Sequence, residues 1–349
     1  MTRINRRTLA ALPLALFAPA LRAQSAWPSR PVKIVVAYAP GGGTDITSRA
    51  FAEQFSLRFG QNFVVENRPG ANGVVGTEGV SRAPADGYTL LAVTSTHVMN
   101  RQMVHPLPFD PATDFTALGL MARYPLVLMA NVEAPFSTVQ QVVAYARAHP
   151  GELAHATSDA QSSYTANRFA RAAGLQMTEV PYRGSGAYLG DLTGGHLKLA
   201  WGSPATAMGL IPGGRVRVIA VSSPQRSSTL PEVPTLREAG VPEVEFDGWF
   251  GLYAPANLPR DITQKLNLAI REISALPVMQ ARLRSLAIDP APLDLEELAA
   301  TLKREEEVWA AAARAGLLPK PRVRPSATPC SPPAASSATA SPRNRCARA

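Results

Sequence analysis

The chain is predicted to be an α/β protein of two doubly wound lobes joined by a two-strand hinge, and three observations carry the prediction. Short β-branched runs alternate with helical patterns along most of the sequence, the pattern of parallel sheets covered by helices. The 349 residues exceed the roughly 250–300 over which one hydrophobic core keeps growing. Two extended segments interrupt the alternation where the chain would leave one lobe and return. Apolar residues at 46% and charged residues at 17% describe a globular composition. No apolar run reaches the ~18 residues that span a bilayer.

The elements can be justified in order. Arg3, Arg6 and Arg7 precede an apolar stretch from Leu9 to Leu21, and the small-residue sequence Arg22-Ala23-Gln24-Ser25-Ala26 follows. That three-part plan predicts an export signal over residues 1–26, cleaved near Ala23, and a periplasmic mature chain. The pair Arg6-Arg7 suits both general and twin-arginine export. Val32 to Tyr38 reads as a strand, Ala39-Pro40-Gly41-Gly42-Gly43 as a loop, and Ile46 to Phe59 as a helix. The same unit recurs at Asn62 to Glu66, Tyr88 to Val93, Leu153 to Ala156, Thr178 to Pro181 and Val216 to Val221. Tyr124 to Asn131 and Trp249 to Pro255 are the expected crossings between lobes. The late helices Arg260 to Leu276 and Leu295 to Ala315 then return to the first lobe. The lobes are accordingly assigned to residues 27–128 with 249–318, and to residues 129–248.

Residues 319–349 are rich in Pro, Ser and Ala and nearly devoid of aliphatic side chains. Such a segment buries too little surface to offset its ordering entropy and is expected to be disordered. Both cysteines, Cys330 and Cys346, fall there, so the fold is expected to use no internal disulfide. The formal charge of +9 also resides at the ends. Ten of the 35 basic residues lie in residues 1–26 and 319–349 with no acid among them, which leaves 25 bases against 26 acids in between. A near-neutral body excludes a nucleic-acid face as the reason for the basic balance.

Three successive segments, Val35 to Asp45 (VVAYAPGGGTD), Val64 to Ala71 (VVENRPGA) and Ala83 to Leu90 (APADGYTL), resemble the signatures of the Bug family. These are the extracytoplasmic solute receptors of tripartite tricarboxylate transporters. The likeness continues through Pro108-Phe109-Asp110-Pro111, Val180 to Gly184, Leu230 to Thr235 and Gly248-Trp249-Phe250-Gly251, and so covers Trp27 to Gly316 in order. It implies a periplasmic binding protein fold of the Venus-flytrap, type II-like kind. It also implies closure on a small organic carboxylate, a membrane permease as partner, no cofactor, and a receptor that works as a monomer.

The local chemistry suits a carboxylate. A glycine run between strand and helix lets backbone N–H groups approach a ligand, and a helix N-terminus adds partial positive charge. The candidate ligand-binding residues are Pro40, Gly41, Gly42, Gly43, Thr44 and Asp45 in the first loop, and Thr94, Ser95 and Thr96 in the second. Thr157, Ser158, Ser162 and Ser163 form a third group, with Arg183 and Gly184 beyond it. Each has a bland counterpart. The glycines can serve a tight turn, Thr44 or Asp45 can cap the following helix, the hydroxyls can bond local backbone, and Arg183 can be a solvated or ion-paired side chain. A Val at Gly42 is expected to block backbone approach. Asp159 departs from the glycine- and asparagine-rich family pattern and weighs against a plain tricarboxylate. Trp201, near the expected cleft, is read as core.

An enzyme reading has little to stand on. No G-x-S-x-G elbow is present, the glycine loop lacks a phosphate-loop lysine, and the five histidines show no metal-ligand spacing. The alternative of a secreted α/β hydrolase acting on carboxylate esters rests on Ser95 or Ser158 with His97 or His155. Glu305-Glu306-Glu307 reads as a solvated helix face.

Overall fold

The computed structural model describes residues 27–227, 229–242 and 244–318, and the backbone of 322–323. The predicted export signal and the rest of the expected disordered tail lie outside the described residues.

Thirteen strands and ten α-helices are present among the described residues. The first lobe begins with β1 (Val32–Val36), α1 (Gly43–Phe59), β2 (Phe63–Asn67), α2 (Val74–Ser81), β3 (Thr89–Thr94) and α3 (Thr96–Met103). A two-residue β4 (Val104–His105) and the long β5 (Phe115–Pro125) follow. The second lobe runs β6 (Val127–Asn131), α4 (Val139–Ala148), β7 (Ala154–Thr157), α5 (Ala160–Ala172), β8 (Thr178–Pro181), α6 (Leu189–Thr193), β9 (Leu199–Gly202), α7 (Pro204–Met208) and β10 (Val216–Val221). The chain then re-enters the first sheet as β11 (Asp247–Pro255), followed by α8 (Arg260–Ala275), α9 (Pro277–Ser285), β12 (Asp289–Pro290) and α10 (Leu295–Arg314). Finally β13 (Arg322–Val323), inside the stretch expected to be unstructured, pairs in parallel with β4.

The first sheet has the order β12-β5-β11-β3-β1-β2 and the second β10-β6-β9-β7-β8. Both sheets are mixed, where strand–helix alternation alone predicts parallel ones. β1 is parallel to β2 and β3, but β11 is antiparallel to β3 and β5. Likewise β7 is parallel to β8 and β9, while β6 is antiparallel to β9 and β10. In each sheet the strand that arrives from the other lobe runs against its neighbours, and in the first sheet the two-residue β12 also opposes β5.

β1 and β3 read as continuous apolar runs because both faces are covered, and Ile34, Val36, Leu90 and Leu91 are fully buried. Phe51 and Phe55 of α1 and Leu266 and Ile270 of α8 belong to the same core cluster. Trp201 is buried edge-on against Phe169, in agreement with its core reading. Glu305 is not solvated as expected. Its carboxylate accepts from Trp249 Nε1 at 2.8 Å, and burial holds its carboxyl above the ordinary range.

The first expected crossing, Tyr124 to Asn131, contains the change of sheet, whereas the second is displaced. Trp249 to Pro255 lies inside β11 and belongs to the first sheet. The chain changes sheet at Leu126 and again ahead of Asp247, and Ser222 ties the two passages together. Its Oγ accepts from the Leu126 N–H at 2.8 Å and donates to the Phe246 carbonyl at 2.6 Å. Its backbone bonds the same two residues.

Candidate functional site

The loops after β1 and β3 project from the carboxyl ends of the first sheet, and those after β7, β8 and β9 from the corresponding edge of the second. Ligands of open α/β sheets bind at such edges. The two sets face each other and enclose a cavity of about 20 Å³ lined by Tyr38, Gly42, Gly43, Thr44, Thr94, Ser158, Gly184 and neighbours. That volume is on the order of a single water.

The lobes meet here through direct hydrogen bonds. The Ala39 N–H donates to the Arg183 carbonyl at 3.1 Å, and the Gly43 N–H to Thr206 Oγ1 at 3.0 Å. Ser95 Oγ donates to Gln161 Oε1 at 2.6 Å, and Gln161 Nε2 to the Tyr124 hydroxyl at 2.5 Å. Thr94 Oγ1 donates to Asp159 Oδ2 at 3.3 Å and also pairs with the Tyr38 hydroxyl at 3.0 Å. Side chains of both lobes therefore complete one another in this closed arrangement.

The glycine loop holds its shape by using its own donors. Gly41 has a φ of 78°, a left-handed turn, and its N–H donates to Asp45 Oδ2 at 2.9 Å. Asp45 Oδ1 accepts from Asn67 Nδ2 at 2.9 Å and pairs with Arg49 at 2.8 Å. Asp45 thus holds the Gly41 turn ahead of α1 without capping the helix, and is balanced by a cation one turn on. A Cβ at Gly42 would make ordinary contacts with Gly186 and Ser185 of the other lobe at 3.4 Å and 3.5 Å. A Cβ at Gly43 would instead overlap Ser203 and come within 2.7 Å of Phe250, and one at Gly186 would overlap the Pro40 carbonyl. A Cβ at Gly184 would likewise come within 2.6 Å of the Ala39 backbone nitrogen, so the closed arrangement depends on Gly43, Gly184 and Gly186 rather than on Gly42.

On the second lobe, Asp159 is the N-cap of α5. Oδ1 accepts from the Ser162 N–H at 3.0 Å and from Ser162 Oγ at 2.7 Å. Ser162 Oγ in turn accepts from the Ser158 and Asp159 N–H groups at 2.9 Å and 3.1 Å. Asp159 is 7% exposed, and burial pushes its carboxyl up against the hydrogen bonds that favour its charged form. Ser158 Oγ pairs with Ser185 Oγ at 3.1 Å, whereas Thr157 Oγ1 donates to Glu179 at 2.6 Å. Ser163 Oγ is met by Asn167 Nδ2 at 3.4 Å.

Of the predicted residues, Gly42, Gly43, Thr44, Thr94, Ser158 and Gly184 line the cavity. Thr96 is buried behind Thr94, to whose hydroxyl its N–H donates at 3.2 Å. Pro40 and the side chain of Arg183 are exposed, and Arg183 takes part through its carbonyl. Tyr38, Tyr124, Gln161, Ser203 and Phe250 also line the cavity and were not among the candidates. Tyr38 adjoins the glycine loop and Phe250 sits in the quoted Gly-Trp-Phe-Gly segment, so both were within reach of the sequence. Tyr124 and Gln161 depend on the crossover and on the α5 register, which it does not reveal.

Among the described residues, neither Ser95 nor Ser158 is bonded to His97 or His155. His97 is packed among Phe109, Phe115 and Tyr253, and burial holds its imidazole down to about 3. Burial likewise lowers His155 to about 4. Ser95 and Ser158 bond Gln161 and Ser185 instead.

Two mixed α/β lobes closing on a polar cleft at their strand ends define an extracytoplasmic solute receptor of the periplasmic binding protein class. The model of the tripartite tricarboxylate transporter family receptor matches residues 47–312, and the chain belongs to that family. It is 32% identical over 250 residues to the protein BugT of Bordetella pertussis, with 70% of this chain and 77% of the relative covered. Rpa4515 of R. palustris, solved with adipate, is 32% identical, with a TM-score of 0.80 over 84% of this chain and 99% of that one. MatC of Rhodopseudomonas palustris, solved with bound malate, is 28% identical, with a TM-score of 0.76 over 82% and 100%.

Proposed function

We propose that the mature chain works in the periplasm as a monomeric receptor that closes its lobes on a small organic carboxylate and delivers it to a membrane permease. The observation that carries the reading is the set of direct bonds between cleft residues of opposite lobes, from Ala39 to Arg183, Gly43 to Thr206 and Ser95 to Gln161. These groups become available to a ligand when the lobes part, and a cavity of about 20 Å³ admits no organic acid until they do. Hinge rotation about Leu126, Ser222 and Phe246 supplies the motion. The adipate and malate in the related structures support a carboxylate as ligand. The arginine-led apolar N-terminus supports export with cleavage near Ala23.

A thermal-shift screen of the mature protein against dicarboxylates, tricarboxylates, amino acids and aromatic acids tests it. Binding to the native state alone raises the melting temperature, so a stoichiometric stabilisation by one class without product formation is expected. Turnover of carboxylate esters without stabilisation would make the hydrolase the better account.

A further inference from the structure

Asp159 is the one side chain of formal charge that lines the cleft among the described residues. Tyrosines, hydroxyls, the Gln161 amide, glycines, Leu126 and Phe250 make up the rest of the wall. Arg183, the cation the sequence offered for a second carboxylate, is exposed. Asp159 is also a charge without a cationic partner. Its recorded partners are the Ser162 N–H, Ser162 Oγ, the Thr94 hydroxyl at 3.3 Å from Oδ2, and the side-chain amide of Gln161, all of them neutral. Its influence crosses the cleft: burial raises the hydroxyls of Tyr38, Tyr124 and Tyr188, and the charge of Asp159 raises each further.

A buried carboxylate is stable when something of opposite charge compensates its lost hydration. Asp159 and Ser162 together close the N-terminal end of α5: the carboxylate accepts from the Ser162 N–H, and Ser162 Oγ accepts from the Ser158 and Asp159 N–H groups. One of the helix ends expected to hold an anion is therefore already occupied by the chain's own carboxylate. A dicarboxylate would place a second anionic group against Asp159 in a low-dielectric space, where like charges repel most strongly.

We infer that Asp159 is a specificity residue, and that the ligand is a zwitterionic amino-carboxylate whose ammonium group meets Asp159 while its carboxylate lies toward the glycine loop of α1. Thr94 Oγ1 donates to Asp159 Oδ2 and accepts from the Tyr38 hydroxyl, whose own lone pairs can accept a remaining ammonium proton. This assignment rests on the carboxylate-receptor reading and narrows it.

The test is isothermal titration calorimetry on the mature chain with matched pairs that differ in one charged group. These are γ-aminobutyrate against succinate, ε-aminocaproate against adipate, and aspartate against malate. In at least one pair the ammonium-bearing member is expected to bind about tenfold tighter or better. In Asp159→Asn that preference is expected to disappear or reverse, with the dicarboxylate or hydroxy acid gaining affinity. Asn is as good an N-cap as Asp, and Asp159→Ser offers a second neutral cap, so both variants keep α5 anchored. If succinate, adipate or malate binds at least as tightly as its amino counterpart and Asp159→Asn leaves the order unchanged, the inference is wrong and the carboxylate reading stands. If no member of any pair binds the folded parent chain, both fall together.

Discussion

Asp45 on the first lobe and Asp159 on the second each stand at the N-terminal end of a helix by the cleft, Asp159 as the cap of α5 and Asp45 holding the Gly41 turn ahead of α1, and their charge balance differs. Asp45 has Arg49 at 2.8 Å and the Asn67 amide at 2.9 Å. Asp159 has two hydroxyls, the Ser162 N–H and the Gln161 amide, and no cation among its recorded partners. Both residues are almost fully buried. Burial therefore does not separate a structural acid from one that awaits a ligand; charge balance does. The first face is internally complete and supplies shape, while the second carries an uncompensated charge that a ligand can answer.

The comparison is most severely tested by keeping the two faces apart. A Cβ at Gly186 overlaps only the Pro40 carbonyl of the opposite lobe among serious contacts, and Gly42 next to it stays at 3.3 Å. Gly186→Ala is therefore expected to leave each lobe folded and to block closure, with ligand affinity falling on the order of a hundredfold, about 2.7 kcal/mol. Solution scattering should show the parent contracting on saturation with ligand and the variant staying extended. Parent-like affinity with parent-like contraction would show that the Pro40 and Gly186 loops do not meet in the bound state.

The joint comes next. Ser222 is 1% exposed, and its Oγ joins Leu126 to Phe246 across the two passages of the hinge. Ser222→Ala leaves a buried N–H and a buried carbonyl without that partner, at a cost of about 1–3 kcal/mol. A denaturant titration that returns a parent midpoint with an unchanged slope would remove Ser222 from the hinge account.

The two acids themselves should respond in opposite directions. A carboxyl raised by burial binds its proton more tightly in the folded chain than in the unfolded one. Asp159 therefore favours folding while it is protonated, and that contribution is lost as pH rises from the ordinary value of 3.8 through the raised one. At neutral pH, Asp159→Asn is expected to stabilise the ligand-free protein by on the order of 1 kcal/mol, roughly 2–4 °C. Below the ordinary aspartate range the gain should vanish. Asp45→Asn gives up an ion pair whose arginine is half exposed, so a loss of about 0.5–1 kcal/mol at neutral pH is expected. Melting curves of both variants across pH would overturn the contrast if the two shifts had the same sign.

How much of this was legible beforehand follows from the kind of interaction involved. Strand–helix alternation is local, and β1, β8 and β10 stand within a residue or two of the apolar runs that predicted them. Thr94, Ser158 and the glycine loop were legible because strand-end loops carry ligands in this architecture. The second crossing was misplaced because an extended run such as Trp249 to Pro255 looks the same whether it crosses between lobes or fills the middle of a sheet. Only the pairing of β11 with β3 and β5 decides that. The internal use of the α5 donors was hidden for a related reason. Asp159 and Ser162 are recognisable as a cap, but that the cap bonds Ser158 as well depends on a side-chain rotamer.

The smallest expected effect separates neighbouring glycines. Gly42 occupies the N-cap of α1 with φ −79° and ψ 166°, an extended conformation open to any residue. No side chain caps the helix there, and an added Cβ meets the second lobe at 3.4 Å or more. Gly42→Ser is therefore expected to shift stability by no more than about 0.5 kcal/mol, with a small gain if the new hydroxyl accepts an N–H of the first turn. Gly43→Ser, one residue on, meets Ser203 and Phe250 and should behave like Gly186→Ala in closure. The measurement is the melting temperature of both variants beside their ligand-induced contraction. If Gly42→Ser lost closure as fully as Gly43→Ser, backbone approach at Gly42 would be what the ligand reads, and the first face would be more than a scaffold for the second.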